Sequence, residues 1–361
     1  MSINRLKINH FRNLAEIDLE LSPSFNLFFG QNGAGKTSLL EAVYYLSRNR
    51  SFRSNYNKRI IQFDEKRLVL YSQINNDSIG IERALSGESL IKINGDTVQS
   101  NALLASYFPL ILIHADTFHI LDSGPDYRRQ FMDWGMFHVE HDYLILWKRY
   151  QKLLKQRNTA IRQRLSKKEI IIWDEELINT AIALDKKRKE YFKSFKPSLL
   201  DIASRFLPGS TFNISYYPGW NEEKSLPDLI KNELERDLDL GYTYNGPHRA
   251  DIKININGIP AKDVLSRGQQ KLFITAMCLA IGKLFREQAG ITPIYLIDDL
   301  AAELDQKNQQ ILINELASSQ SQVFLTLIEP GLFEEKLINK RMFHVEHGLI
   351  NVFNTISEKI K

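Results

Sequence analysis

The sequence predicts an α/β protein, in which one α/β lobe with an added antiparallel β layer is assembled from both ends of the chain and a helical lobe with a short arm is inserted between them. Three observations carry this expectation. An apolar run, residues 25–29, leads into Gly30-Gln31-Asn32-Gly33-Ala34-Gly35-Lys36-Thr37, and a helix-forming segment follows. A second apolar run, Ile294-Tyr295-Leu296-Ile297, ends in the adjacent carboxylates Asp298 and Asp299. The stretch between them is far longer than one strand-helix-strand unit spans, and its middle is rich in Lys, Arg, Glu and Leu at helical intervals.

The elements follow in order. Leu6, Ile8 and His10 alternate with polar neighbours, and residues 17–21 and 25–29 read as further strands. After the glycine-rich turn, residues 37–46 lack Gly and Pro and place apolar side chains at three- and four-residue spacing, which predicts a helix. Residues 68–74, 79–84, 90–93 and 110–113 are short β-type runs, with a hairpin turn at Asn94-Gly95, and are expected to form the antiparallel layer. Trp147, Tyr150, Leu153, Leu154 and Ile161 mark one long helix, residues 172–206 a second, and a break near residues 166–169 makes them an arm. Residues 1–122 and 240–361 are expected to form the α/β lobe and 123–239 the helical lobe.

Composition narrows the classes. At 43% hydrophobic and 25% charged residues, with 18 Gly and 11 Pro, the chain is neither disordered nor fibrous. No apolar run approaches the roughly 20 residues needed to span a bilayer, so no membrane partner is expected. The first ten residues read as a strand and not as a signal peptide. The one cysteine, Cys278, can make neither an internal disulfide nor a cysteine-cluster metal site. A cytoplasmic location is expected.

The net charge of +4 is unevenly spread. Residues 148–168 hold nine basic side chains and no acidic one, which leaves −5 for the remainder. Arg48, Arg50, Arg53, Lys58 and Arg59 form a second basic cluster beside Phe52 and Tyr56. Both segments suit a phosphate backbone, and Arg50, Arg53, Lys152, Lys155 and Arg162 are the DNA-contact candidates. A solvated basic helix face is the alternative reading.

The chemistry begins at residues 30–37, which fit G-x-x-x-x-G-K-[ST] between a strand and a helix. In that context backbone N–H groups and the helix N-terminus point at phosphates, Lys36 adds positive charge and Thr37 offers its hydroxyl to Mg²⁺. Asp298 is the metal-holding acid, and Asp299 is placed to polarise water. Leu265-Ser266-Arg267-Gly268-Gln269-Gln270-Lys271 opens a helix ahead of that strand and resembles the signature sequence of ABC-type ATPases. The fold class is therefore refined to an ABC-type ATPase lobe with an inserted helical lobe. Glu303-Leu304-Asp305 resembles the loop that crosses the dimer interface in that class. The switch histidine of transporters is absent from Val323-Phe324-Leu325-Thr326-Leu327-Ile328-Glu329-Pro330, which leaves the hydrolytic rate open and argues against a transporter cassette.

Further segments carry a closer resemblance: Leu6-Lys7-Ile8-Asn9-His10-Phe11-Arg12-Asn13-Leu14, Ser51-Phe52-Arg53-Ser54, Gly124-Pro125-Asp126-Tyr127-Arg128-Arg129-Gln130-Phe131-Met132-Asp133, Leu153-Leu154-Lys155-Gln156-Arg157-Asn158 and Gly246-Pro247-His248-Arg249. With the motifs above they run in order from about residue 3 to 350 and resemble the RecF family, relatives of SMC and Rad50 heads with a short arm. The resemblance implies ATP and Mg²⁺ as cofactors. Gly30, Gln31, Asn32, Gly33, Ala34, Gly35, Lys36, Thr37 and Ser38 would hold the nucleotide, and Ser266, Arg267, Gly268 and Gln269 would reach the nucleotide of a second copy. Lys36 and Asp299 would serve catalysis, and Thr37 and Asp298 would ligate Mg²⁺. It further implies an ATP-dependent homodimer on single- and double-stranded DNA, weak DNA-stimulated hydrolysis, and support of SOS induction. The implied protein partners are RecR and, indirectly, RecO and RecA. An SMC-like clamp, a transporter cassette and a non-enzymatic adaptor are the competing classes.

Two smaller questions concern histidine and arginine. His138-Val139-Glu140-His141 and its copy at residues 344–347 do not have the i, i+4 histidine spacing of a helical zinc pair, so packed or exposed histidines are expected. Arg128 and Arg129 are expected to pair with Asp122 or Asp133, a phosphate contact being the alternative reading.

Overall fold

The computed structural model describes residues 1–54, 56–140 and 142–353, which divide into two compact units: Met1–Thr117 with Phe285–Lys361, and Phe118–Leu284. This division puts residues 240–284 in the second unit, whereas the sequence reading puts them in the ATPase lobe. Fifteen strands are named in chain order. They are β1 Ile3–Phe11, β2 Leu14–Glu20, β3 Phe25–Phe29, β4 Arg67–Ile74, β5 Asp77–Ala84, β6 Ser89–Ile93, β7 Asp96–Thr97, β8 Leu110–Ile113, β9 Phe212–Tyr217, β10 Asp251–Ile256, β11 Ile259–Pro260, β12 Ile294–Ile297, β13 Val323–Leu327, β14 Lys340–Glu346 and β15 Leu349–Phe353.

The first unit is built on a sheet of order β15-β14-β3-β13-β12-β8, parallel from β14 to β8, with β15 an antiparallel edge. Every residue of β12 and β13 is buried, as continuous apolar runs require when both faces of a parallel sheet are covered. Phe28 stacks on Phe324 and Phe343 of the two flanking strands, which fixes β3 at the centre. The second sheet, β2-β1-β4-β5-β6-β7, is antiparallel, and its strands bury alternate residues such as Leu6, Ile8, Leu68 and Leu70. Both sheets share one apolar core with the helix Lys36–Arg48. The buried Gln322 amide joins them by accepting from Ile3 N at 2.7 Å and donating to the Ile3 and Ser22 carbonyls.

One expected strand assignment is corrected. Residues 110–113 pair parallel with β12 at the far side of the first sheet instead of joining the antiparallel layer. Leu-Ile-Leu-Ile shows no alternation, and such a run belongs to a strand buried on both faces. The helix Asn101–Tyr107, capped by Ser100, carries the chain between the two sheets.

In the second unit Tyr143–Arg162 and Asp174–Phe206 form the helical pair of the arm, joined by the short helices Lys167–Ile170 and Ile171–Trp173. Two arginines pin this unit from inside. Arg157, fully buried, donates to Asp174 at 2.7 Å, Asp237 at 2.6 Å and Thr243 at 2.8 Å. Arg188 makes a forked pair with Asp133 and donates to the Pro247 carbonyl. Arg157 is therefore not one of the outward charges counted in residues 148–168. Truncating Arg157 would strand the buried Asp237 carboxylate, at a cost of about 3–5 kcal/mol.

His248 is held between these elements. Its Nε2 donates to the Thr243 carbonyl at 2.9 Å, which leaves Nδ1 to accept from the Tyr150 hydroxyl at 2.6 Å. Burial pushes its pKa down to about 4. Between that value and the usual ~6.5 the unfolded chain binds the extra proton. The neutral ring's contribution is thus complete above pH 6.5 and is lost at about 1.4 kcal/mol per unit as pH falls towards 4. Urea midpoints measured from pH 7.5 to 4.5 should drop less steeply in His248→Gln than in the parent chain. Parallel profiles would remove His248 as the origin of that slope.

Candidate functional site: the phosphate loop and its partners

β3 ends in the phosphate loop. Gly30 has φ 148°, and a Cβ there would lie 2.2 Å from the Val345 carbonyl oxygen, so only glycine lets the loop leave the sheet beside β14. The loop is fastened at Ala34, whose carbonyl accepts from Gly348 N at 2.8 Å and from Asn13 Nδ2 at 3.3 Å. The helix Lys36–Arg48 then starts after Gly35 with no side-chain cap and no acid in its first turn. Its opening N–H groups and dipole therefore face the loop without a competing anion.

Lys36 is buried and folds back over the loop, its Nζ donating to the carbonyls of Gly30 at 2.6 Å and Gln31 at 3.1 Å. Burial lowers its pKa, an effect opposed by the charges of Asp299 and Asp298. The parallel register sets Asp298 at the end of β12 beside this loop. The Thr37 hydroxyl lies 3.1 Å from Asp298 Oδ1, and the Thr326 hydroxyl from β13 donates to the same oxygen at 3.0 Å. Burial and the Asp299 charge raise the Asp298 pKa, against the two hydroxyl bonds. Asp299 sits at φ 56°, and its N–H donates to Thr326 Oγ1 at 2.8 Å. Thr326 therefore sets both acids, a role that sequence reasoning missed; the signal was the single polar residue in Val-Phe-Leu-Thr-Leu.

A second network sits one helical turn beyond the loop. Glu41, fully buried on the phosphate-loop helix, makes a forked pair with Arg12 at 2.7 and 3.0 Å, accepts from the Ser51 hydroxyl and lies 3.5 Å from Arg53. Ser51 Oγ in turn accepts from the N–H groups of Arg53 and Ser54. Arg12 and Arg53 line a cavity of about 1050 Å³ with Asn32, Lys36, Thr37 and Asp299. Arg50 is exposed and is not among the lining residues.

The signature residues belong to the second unit. Ser266, Arg267, Gly268 and Gln269 are exposed at the start of the helix Arg267–Ala289. Ser266 Oγ accepts from Gln269 N, and Gln269 Oε1 accepts from Ser266 N, a reciprocal cap that orders the turn. Arg267 pairs with Asp122. Asp305 caps the helix Gln306–Ser318 through Asn308 N. The arm carries Lys148, Lys152, Lys155 and Arg162 exposed along one helical stripe, while Arg149 and Lys167 are paired with Glu176 and Glu235.

Arg128 and Arg129 are structural, with partners other than those expected: Arg128 forks onto Asp251, and Arg129 binds Asp126 and the Ala250 carbonyl. His138 packs against Trp134, and His344 against Phe29. His141 lies outside the described residues.

A parallel sheet that puts a glycine-rich phosphate loop beside a paired-aspartate strand end, with a serine-capped helix start on a separate unit, defines the SMC-head class of phosphate-loop proteins. Residues 2–351 match the RecF/RecN/SMC N terminal domain. The chain is 40% identical over 358 residues to the DNA replication and repair protein RecF of Shewanella piezotolerans, covering 98% of this chain and 99% of that one. It is 42% identical over 353 residues to the RecF of Coxiella burnetii, covering 96% and 98%. The chain belongs to the RecF family. Among solved structures, the recombination mediator protein RecF-ATP in the RecFOR pathway superposes with TM-score 0.85 at 24% identity over 98% of each chain. An Smc head bound to the C-winged helix domain of ScpA gives TM-score 0.64 at 15% identity, covering 98% of this chain and 97% of that one.

Glu41→Ala should free two arginines and the Ser51 hydroxyl at once. We expect a loss of about 3 kcal/mol in urea unfolding and faster proteolysis within residues 50–60. An unchanged midpoint would show that the network is not structural.

Proposed function

We propose that this chain is an ATP-binding DNA replication and repair protein that pairs with a second copy when nucleotide is present, and that it works in the cytoplasm. The observation that carries the reading is the convergence of Lys36, Thr37, Asp298 and Asp299 at one sheet end. The curated relatives bear the name DNA replication and repair protein, and one solved relative was determined with ATP.

The residues present fit a nucleoside triphosphate with Mg²⁺. The loop is closed to any Cβ at Gly30, the helix start is uncapped, and a threonine hydroxyl meets a buried carboxylate of raised pKa. Bound there, the nucleotide and its cation would supply the phosphoanhydride and the charge that offsets its oxygens. The chain's own part is positional. Lys36 would exchange its two carbonyl partners for phosphate oxygens, and Thr37 and Asp298 would hold the cation. Thr326 keeps Asp299 turned outward, where its carboxylate can take a proton from water. Ser266, Gly268 and Gln269, exposed on a capped helix start, present N–H groups to the nucleotide of the second copy. The basic stripe of the arm contacts DNA phosphates. RecR, and through it RecO and RecA, are the protein partners this reading assigns.

Lys36→Ala should lose ATP binding and ATP-dependent pairing together, whereas Asp299→Asn should keep both and slow phosphate release at least tenfold. Normal ATP affinity for Lys36→Ala in an equilibrium titration would overturn the site. Reversing Lys152, Lys155 and Arg162 to Glu should weaken duplex binding and flatten its salt dependence by up to about three phosphate contacts. An unaltered slope would exclude the arm as a DNA surface.

A further inference from the structure

The Gly246-Pro247-His248-Arg249 turn lies in the second unit and lines a cavity of about 610 Å³. Three tyrosines, Tyr217, Tyr242 and Tyr244, share that lining with Arg129 and Arg249. Their arrangement is neither a packed core nor a salt-bridge lattice. Arg249 lies over the rings of Tyr242 and Tyr244 at 5.1 and 5.4 Å, Arg236 over Tyr244 at 3.6 Å, and Lys253 over Tyr217 at 4.8 Å. The cations are thus pre-ordered on aromatic faces; Arg236 is also paired with Glu233, whereas Arg249 and Lys253 are exposed. The one carboxylate in the lining, Asp126, is already paired with Arg129.

The floor beneath is rigid. Gly219 and Gly246 clasp each other by a backbone bond, and a Cβ on Gly219 would lie 2.1 Å from the Gly246 carbonyl oxygen. Asn158 of the arm holds the Tyr242-Thr243-Tyr244 segment by accepting from Thr243 N at 2.8 Å and from its hydroxyl at 2.7 Å, while buried Arg157 donates to the same hydroxyl at 2.8 Å. His248 adds its bond to the Thr243 carbonyl. Thr243 is completely buried by these contacts, whereas Tyr242 and Arg249 on either side of the segment are exposed. A segment fixed this firmly, with an aromatic ring and a guanidinium turned outward, is ordered for a ligand before the ligand arrives.

We propose that this cavity binds a single-stranded segment of DNA, with a base on Tyr242 and the adjoining phosphates on Arg249 and Lys253. The inference rests on the DNA-binding reading above and deepens it by naming the strand form and the site. Rings and cations in alternation match bases and phosphates in alternation, and stacking accepts every base because each has a π-face. In a duplex those faces are hidden within the stack, so a paired strand offers the cavity only its phosphates. The arm stripe carries exposed charge without aromatic rings, and it therefore serves the duplex; the two surfaces divide the strand forms between them.

The test uses the full chain, with fluorescein-labelled oligo(dT) and a duplex of equal length, read by anisotropy at one fixed salt concentration. Tyr242→Ala and Arg249→Ala should each weaken oligo(dT) binding about tenfold or more and leave duplex affinity and ATP affinity within twofold, and Tyr242→Phe should restore the parent value. Unchanged oligo(dT) affinity in both alanine variants would overturn the site, as would an equal loss for both strand forms. A parent chain that binds neither DNA would overturn the DNA-binding reading itself, a distinct result. Ultraviolet crosslinking of the parent chain to 5-iodouracil oligonucleotides needs no variant. Adducts within residues 217–253 support the site, and adducts found only elsewhere refute it.

Discussion

The contact on which the first unit depends is the one between the Thr37 hydroxyl and the Asp298 carboxylate, 3.1 Å apart and 261 residues distant in sequence. It exists because β3 and β12 are both parallel neighbours of β13, so that the strand ends from the two halves of the chain open on the same edge. Ligands collect at that edge in open α/β sheets because loops and helix N-termini gather there. Without the far half of the chain, β3 would lack both its neighbours, β13 and β14, and the phosphate loop would have no acid beside it.

Burial gives this contact its character. Asp298 is desolvated and carries a like charge next to it, so its carboxylate is held above its ordinary range and would gain from a cation. Lys36 is desolvated as well and makes do with two carbonyl oxygens. Both groups are thus kept in states that a phosphate and its metal would relieve, and this is a stronger argument for the site than the glycines alone. Thr326 matters for the same reason. One hydroxyl placed between two acids fixes the direction of each without adding charge.

The second unit is organised by buried guanidinium groups instead of an open sheet edge. Arg157 gathers two acids and the Thr243 hydroxyl, and Arg188 an acid and the Pro247 carbonyl, so the arm, the Tyr242-Thr243-Tyr244 segment and the Gly-Pro-His-Arg turn are set by shared hydrogen bonds. Such groups specify geometry more than they stabilise, since desolvation offsets much of their attraction. That expense is consistent with a surface whose shape has to be maintained.

The sequence by itself determined the local chemistry. The phosphate loop, the aspartate strand, the signature helix start and the two arm helices were all legible, because each depends on spacing within a few residues and on the periods 2 and 3.6. Tertiary structure alone decided the rest. Residues 110–113 joined the parallel sheet because an unalternating apolar run is stable only where both faces are covered. Arg157, read as one of nine basic side chains on the arm, turned inward because buried Asp237 and half-buried Asp174 reach it from elsewhere in the chain. Arg128 took the distant Asp251 as its partner, and Arg129 took Asp126, one turn before it, together with the Ala250 carbonyl. Thr326 and Glu41 gained their roles from groups that packing delivers to them. Charge and hydrophobicity are properties of a residue, whereas a partner is a property of the fold, and the sequence does not state which distant groups will share a dielectric.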